Sequence, residues 1–256
     1  MSDAPLQVWL DRGESLLRVR LAQPKANLID KTMIAALKAA FDAHRGRCGL
    51  LGALLDAEGP HFSFGASVEE HLAEHCREML QSLHALLLAM LEWRAPILVS
   101  VRGQCLGGGL EVALAGTLIF AGRDARFGQP ETQLGVFAPA ASCLLPPRVG
   151  QAAAEDLLLS GRSIKAEEAK EIGLLHAVCD DPEAAALAYF DQHLARKSAV
   201  ALACAMSAAR EDYIAQVRRR LGEVERIYLE GLMKTRDANE GLAAFIAKRA
   251  PRWEHR

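Results

Sequence analysis

Three consecutive glycines, Gly107-Gly108-Gly109, run straight into Leu110-Glu111-Val112-Ala113-Leu114-Ala115. The glycines dictate a tight turn that opens a helix, just after a run from Ile97 to Val101 that reads as a buried strand. The first amides of a helix have no partner within it, so this turn presents bare N–H groups to whatever lies beside it. Glu111 stands inside the apolar helix start, where burying a carboxylate costs free energy unless it has a partner or a task. Twenty residues on, a second acid, Glu131, follows Phe127-Gly128-Gln129-Pro130.

The rest of the chain supplies a large core for this turn to sit on. Of its 256 residues, 51% are hydrophobic and 24% charged, with no low-complexity segment, so a folded globular protein is expected. The formal net charge of −2 argues against nucleic-acid binding by bulk electrostatics. Basic residues at Arg218-Arg219-Arg220 and from Lys248 to Arg256 read as a solvated helix face and tail. The cysteines (Cys48, Cys76, Cys105, Cys143, Cys179, Cys204) form no C-x-x-C pair. With no signal-peptide pattern at MSDAPLQVW, they point to a reduced cytoplasm. The longest apolar stretch, Pro96 to Ala121, is broken by Arg102, Gln104 and Glu111 and is no membrane span.

Strand and helix patterns alternate over the first two thirds, which gives an α/β class. Val8-Trp9-Leu10 and Leu16 to Leu21 flank Asp11-Arg12-Gly13-Glu14 as a hairpin. Asp30 is placed to cap a helix with an apolar face of Met33, Ile34, Leu37, Ala40 and Phe41. Leu50 to Asp56 reads as a strand, Glu69 to Trp93 as one long helix, and Leu118-Ile119-Phe120 as a further strand. No strand signal follows Glu183, and Tyr213 to Met233 is helical, serving either as extra core or as an oligomer surface.

A second loop, Gly59-Pro60-His61-Phe62-Ser63-Phe64-Gly65-Ala66, follows a strand as the glycine turn does. Two such loops, each donating one amide to a single oxygen, form an oxyanion hole. Together with two carboxyls, that arrangement suits proton transfer beside a carbonyl. No G-x-G-x-x-G or G-K-[ST] pattern marks a nucleotide phosphate site.

These two loops, with Gly107 to Glu111, Phe127 to Glu131, Gln23-Pro24-Lys25-Ala26-Asn27, and Glu240-Gly241 through Phe245-Ile246-Ala247-Lys248-Arg249, resemble the enoyl-CoA hydratase/isomerase (crotonase) superfamily over nearly the whole chain. The resemblance implies a spiral of ββα repeats over residues 1–190 and a C-terminal helical trimerisation region over 191–256, in trimers or dimers of trimers. It implies that the Ala66 and Gly108 amides hold a thioester oxygen and that Glu111 and Glu131 are the catalytic acids. Lys25 and Ala26 match positions along which CoA runs. Ser63, Gly65, Ser67 and Gly107 line the substrate loops, with Val136 and Pro139 on the acyl wall. Phe245 and Lys248 match late positions that reach the CoA of a neighbouring subunit. The substrate carries coenzyme A; no separate cofactor and no metal is implied.

The chain departs from the common pattern at Gly65-Ala66-Ser67, where an aspartate is usual, and across Gly135 to Pro146. Pro139 replaces a glycine whose amide helps hold the catalytic water in hydratases, and proline has no N–H. This argues against an ordinary straight-chain enoyl-CoA. The variant segment, with His61 to Ser67 and Arg102 to Leu106, resembles the cyclohexa-1,5-diene-1-carbonyl-CoA hydratases of anaerobic benzoyl-CoA degradation. That narrower resemblance implies water addition to a cyclic dienoyl thioester, giving 6-hydroxycyclohex-1-ene-1-carbonyl-CoA. The alternatives are a straight-chain enoyl-CoA hydratase, an enoyl-CoA isomerase, a thioester hydrolase, and a crotonase-fold protein that binds RNA or partner chains. Sequence leaves open which glutamate is base. His71 and His75, spaced like metal ligands, lack a third ligand and read as a polar helix face. Cys143 reads as a small lining residue.

Overall fold

Left-handed backbone at Arg12, Gly13 and Glu14 folds the first charged turn back on itself. It joins β1 (Leu6–Asp11) to β2 (Leu16–Leu21) as an antiparallel hairpin. The computed structural model describes residues 4–256. Four further strands add in parallel to the hairpin: β3 (Gly52–Ala57), β4 (Ile97–Val101), β6 (Leu118–Gly122) and β9 (Ala177–Cys179), in the order β1-β2-β3-β4-β6-β9. A second, three-stranded sheet holds β5 (Gln104–Leu106), β7 (Arg126–Gly128) and β8 (Ser163–Lys165).

The period-2 alternation of the large sheet sorts its side chains into two cores. Leu17, Val19, Ala53, Leu55, Ile97, Val99, Ile119 and Ala121 face the main core. Leu16, Leu54, Leu98 and Phe120 face the opposite side, covered by Ala186 and Phe190. The main core is closed by α1 (Lys31–His44) and α2 (Cys76–Leu91), joined by α3 (Gly108–Leu114), α4 (Ala141–Val149) and α5 (Gln151–Ser160). The short α6 (Ala166–Glu171) leads to β9, and α7 (Pro182–Tyr189) covers the other face. Asp30 caps α1 by accepting from the Met33 amide at 2.8 Å, and the buried stripe is the one its spacing predicts.

On the α7 side the sheet carries charge. Arg18 bonds Asp56 at 2.9 Å and Arg20 bonds it at 2.6 Å, with Glu183 of α7 joining both arginines. Trp9 lies over the two guanidinium groups at 4.8 and 5.4 Å.

The stretch from Glu69 to Trp93 is not one helix. A 3-10 turn, Glu69–His71, ends where Leu72 becomes extended (ψ 151°), and α2 begins only at Cys76. Val68 and Leu72 pack against a separate apolar cluster containing Cys76 and Met79, and that packing overrides local helix propensity. The long α8 (Ala199–Arg226) gives Val217, Leu221 and Val224 to the main core and leaves Val200 exposed. It runs into a π-helical turn, Ile227–Gly231, and then α9 (Arg236–Ile246). Among the described residues no helix is long and apolar enough to cross a membrane, and all six cysteines are free.

Candidate active site

The loop from Pro60 to Ser67 is pinned from both sides. The Phe62 and Ser63 amides donate to the Arg102 and Gln104 carbonyls at 2.9 Å, and Leu106 N–H donates back to Ser63. Across the loop, Phe64 N–H donates to Ala26 and Ile29 N–H to Gly65, each at 2.9 Å. Buried Asn27 ties these strands of chain together: its amide donates to Glu58 and His61 carbonyls at 3.0 Å while its oxygen accepts from Gln23 N–H. Lys25 is exposed on the same turn, and Ala26 beside it touches the loop through its carbonyl.

This fixed loop abuts the glycine turn. A methyl group placed on Gly108 would lie 3.2 Å from the Ala66 nitrogen and 3.3 Å from its Cβ. Neither the Ala66 nor the Gly108 N–H donates to another group of the described residues. Gly107 has φ +50° and ψ −128°, and a methyl there would meet Oε1 of Glu131 at 2.7 Å. Only glycine meets both demands at that position. The two loops, the glycine turn and Glu131 therefore converge. At the far end of α3, the Arg148 guanidinium donates to the Leu114, Gly116 and Thr117 carbonyls at 2.8–3.1 Å. It occupies the carbonyls a short helix leaves unpaired.

Glu111 is 4% exposed, and its Oε1 accepts the Ala141 N–H at 2.8 Å. Burial pushes its carboxyl up to about 7, against the pull of the Ala141 and Ala140 amides, which favour the ionised form. Glu131 keeps some accessible surface, but dense surroundings, then the Glu111 charge, push it higher, to about 8. The two acids thus titrate as a pair, and burial keeps a proton between them near neutrality. Buried Gln129 places the end of its amide 3.1 Å from both Glu131 oxygens. Its NH2 donates to the carboxylate, or its oxygen accepts from the acid, so it serves either form.

Val136 and Pro139 are buried on the adjoining wall, and Val136 N–H donates to the Glu131 carbonyl at 3.2 Å. Ser63 is fully buried with its Oγ accepting from Gly65 N–H, whereas Ser67 bonds Glu69 and borders a cavity of about 520 Å³ between α1 and α2. Phe245 and Lys248 are not brought to this centre. Both are exposed at the end of α9, with no hydrogen bond to the loops or the glutamates.

Other candidates are bound up in structure. His61 Nδ1 accepts from Gln104 N–H at 3.2 Å, and its ring edge meets Phe64. His71 turns back onto the Ser67 carbonyl and shares no helix with His75. Among the described residues no three metal-binding side chains gather. Burial pushes the Cys143 thiol up to about 11, which leaves it protonated and a poor nucleophile. Gln129, Ala140 and Ala141 are the contacts sequence reasoning passed over. A glutamine two residues before the acid was a readable signal, while the two alanine amides had none.

A family model described as enoyl-CoA hydratase/isomerase matches residues 11–256. The chain belongs to the enoyl-CoA hydratase/isomerase family. It is 60% identical over the full length of both chains to the cyclohexa-1,5-dienecarbonyl-CoA hydratase of Thauera aromatica. It is 30% identical to the 2,3-dehydroadipyl-CoA hydratase of Escherichia coli (strain K12), covering 98% of this chain and 99% of that one. The crystal structure of an enoyl-CoA hydratase/isomerase from Pseudoalteromonas atlantica T6c superposes with a TM-score of 0.86 at 29% identity, covering 97% and 99% of the two chains. The fold is thus the crotonase fold expected from the motifs.

Proposed function

We propose that this enzyme is a hydro-lyase that adds water to cyclohexa-1,5-diene-1-carbonyl-CoA, giving 6-hydroxycyclohex-1-ene-1-carbonyl-CoA in anaerobic benzoyl-CoA degradation. The 60% identity to a hydratase of that name, unbroken over the whole chain, carries the reading. The Ala66 and Gly108 amides receive the thioester oxygen. Glu111, whose ionised form the Ala141 amide favours, takes a proton from water. The water oxygen bonds to the ring carbon β to the carbonyl, and the electron pair passes to the thioester oxygen as a dienolate. Glu131, in the field of Glu111, gives its proton to the γ carbon, and the double bond returns in conjugation with the thioester. Two preplaced amides are each worth roughly 3–4 kcal/mol in such a step. Water addition changes no net oxidation state, so the substrate's coenzyme A is the handle and no redox cofactor is required.

CoA runs past Lys25 and Ala26, and Phe245 and Lys248 of one subunit reach the CoA of its neighbour in a trimer or dimer of trimers. Exposed apolar residues such as Val200 and Ile227 suit such an assembly. The enzyme works in the cytoplasm without nucleic-acid or membrane partners. Arg218 pairs with Glu92, Arg249 with Glu240 and Arg256 with Glu254, which neutralises part of the basic charge late in the chain. The test offers cyclohexa-1,5-diene-1-carbonyl-CoA and crotonyl-CoA side by side in ¹⁸O-labelled water. Preference for the ring substrate with label in its product is expected. Preference for crotonyl-CoA defeats the ring assignment, and unlabelled isomerised product makes the enzyme an isomerase.

A further inference from the structure

The Ala66 N–H belongs to the peptide unit whose carbonyl is that of Gly65. Glycine leaves the plane of that unit free to turn, so its direction has to be set from outside. Ile29 N–H sets it by donating to the Gly65 carbonyl at 2.9 Å. In a trans peptide the carbonyl and the N–H point opposite ways, so fastening the oxygen to Ile29 aims the Ala66 N–H away from it. Ser63 Oγ holds the peptide before this one, through Gly65 N–H, and His71 holds the Ser67 carbonyl beyond it. Among the described residues, Ile29 N–H is therefore the one hydrogen-bonding tether on the peptide itself. A residue earlier, Phe64 N–H donates to the Ala26 carbonyl, so the segment between β2 and α1 grips the loop twice.

That segment is neither helix nor strand. Lys25 (φ +100°) and Asn27 (φ +44°) both take left-handed backbone, which asparagine tolerates and lysine keeps only where its surroundings enforce it. Asn27 is 1% exposed, and its side chain is fully used. Its Oδ1 accepts from Gln23 N–H at 2.9 Å, while Asn27 N–H donates to the Gln23 carbonyl at 2.9 Å, and the two bonds close the turn. Its Nδ2 donates to the Glu58 and His61 carbonyls at 3.0 Å, on the limb that leads to Phe64 and Gly65. One side chain thus clasps turn and loop together. We propose that Asn27 is a positioning residue of the reaction: it sets Ile29 N–H against the Gly65 carbonyl, and through that peptide aims the Ala66 N–H at the thioester oxygen. This role rests on the oxyanion and hydration reading above.

The test is Asn27→Asp, which keeps the side chain's shape and the oxygen facing Gln23 but puts a second oxygen against the two carbonyls. The probe is cyclohexa-1,5-diene-1-carbonyl-CoA with ¹³C at its thioester carbonyl, at equilibrium with its hydroxy product on excess enzyme, read by difference infrared spectroscopy. Wild-type enzyme should move the labelled band to lower wavenumber, because hydrogen bonds to the oxygen weaken C=O. Measured well below its own Tm, the variant should lose at least about half of that shift and at least about tenfold in kcat, as befits a misaimed donor. Replacing Ile29 by its α-hydroxy acid deletes only the N–H toward Gly65. It should bring the same two losses, and it decides the question if Asn27→Asp does not fold. A folded variant that keeps the full shift, or a kcat within about twofold of wild type, overturns the Asn27 role and leaves the hydration reading standing. A wild type that hydrates the substrate without shifting the band defeats the oxyanion reading, one that adds no water defeats hydration, and either takes this role with it.

Discussion

Oε1 of Glu111 accepts the amide hydrogen of Ala141 across 2.8 Å, and the charge this bond favours bears on Glu131. The pair's titration sets a pH profile. Activity rises as Glu111 ionises near about 7 and falls as Glu131 loses its proton near about 8. A bell-shaped kcat/KM curve with a narrow maximum between those limbs is expected from initial rates in constant-ionic-strength buffers. A profile flat from pH 6 to 9 sinks the shared-proton description.

Glu111→Gln and Glu131→Gln each remove one proton-transfer group while leaving the side chain's size almost unchanged. Each is expected to lower kcat at least about a hundredfold with the ring substrate. Near-normal turnover by either variant removes that glutamate from the chemistry.

The same burial makes Glu111 a liability for folding. Its native carboxyl titrates near about 7 against an ordinary value of 4.5, so between those values the native state binds more protons than the unfolded chain. Stability from this group is therefore full below about pH 4.5 and is lost as pH rises through about 7. Glu111→Gln should exceed the wild type in urea unfolding by about 3 kcal/mol at pH 8 and nearly match it at pH 4.5. An equal difference at both values contradicts the linkage.

Gly107→Ala forces a side chain onto φ +50° and drives its methyl to 2.7 Å from Glu131 Oε1. The strain costs roughly 1–3 kcal/mol, and displacement of the acid lowers kcat by more than about tenfold. Steady-state rates together with a melting curve separate the two effects. Unchanged kcat means the turn does not hold the acid in place.

Asp56 is nearly inaccessible and receives both Arg18 and Arg20. Asp56→Ala strands a buried guanidinium and should destabilise the protein by roughly 3–5 kcal/mol. Denaturant unfolding measures it, and a loss under 1 kcal/mol means the network relaxes around the gap.

Legibility in the sequence followed the length and period of each element. The stripe from Met33 to Phe41 spans three turns behind the Asp30 cap, and Ile97 to Val101 is unbroken, so helix and strand were plain. The second sheet was not, because β5, β7 and β8 have three residues each and bury Cys105, Phe127 and Ile164 in strands too short to show a period. The break at Leu72 was hidden for another reason: its cause is the distant cluster around Tyr228 and Met233. Within the site, the two acids and the glycine turn stood out because buried charge and consecutive glycines are costly without purpose. The Ala140 and Ala141 amides left no trace, since any residue but proline supplies an N–H.

Gly241 of α9 lies so close to Leu134 that a methyl on it would reach that carbonyl at 2.1 Å, and Trp253 stacks beside Gly135. The segment bearing Glu131 is thus backed by chain made more than a hundred residues later. A nascent polypeptide that has already formed its large sheet still lacks the support behind Glu131. Competence for chemistry should accordingly wait until the stretch from Gly241 to Trp253 has been made and has docked behind Glu131.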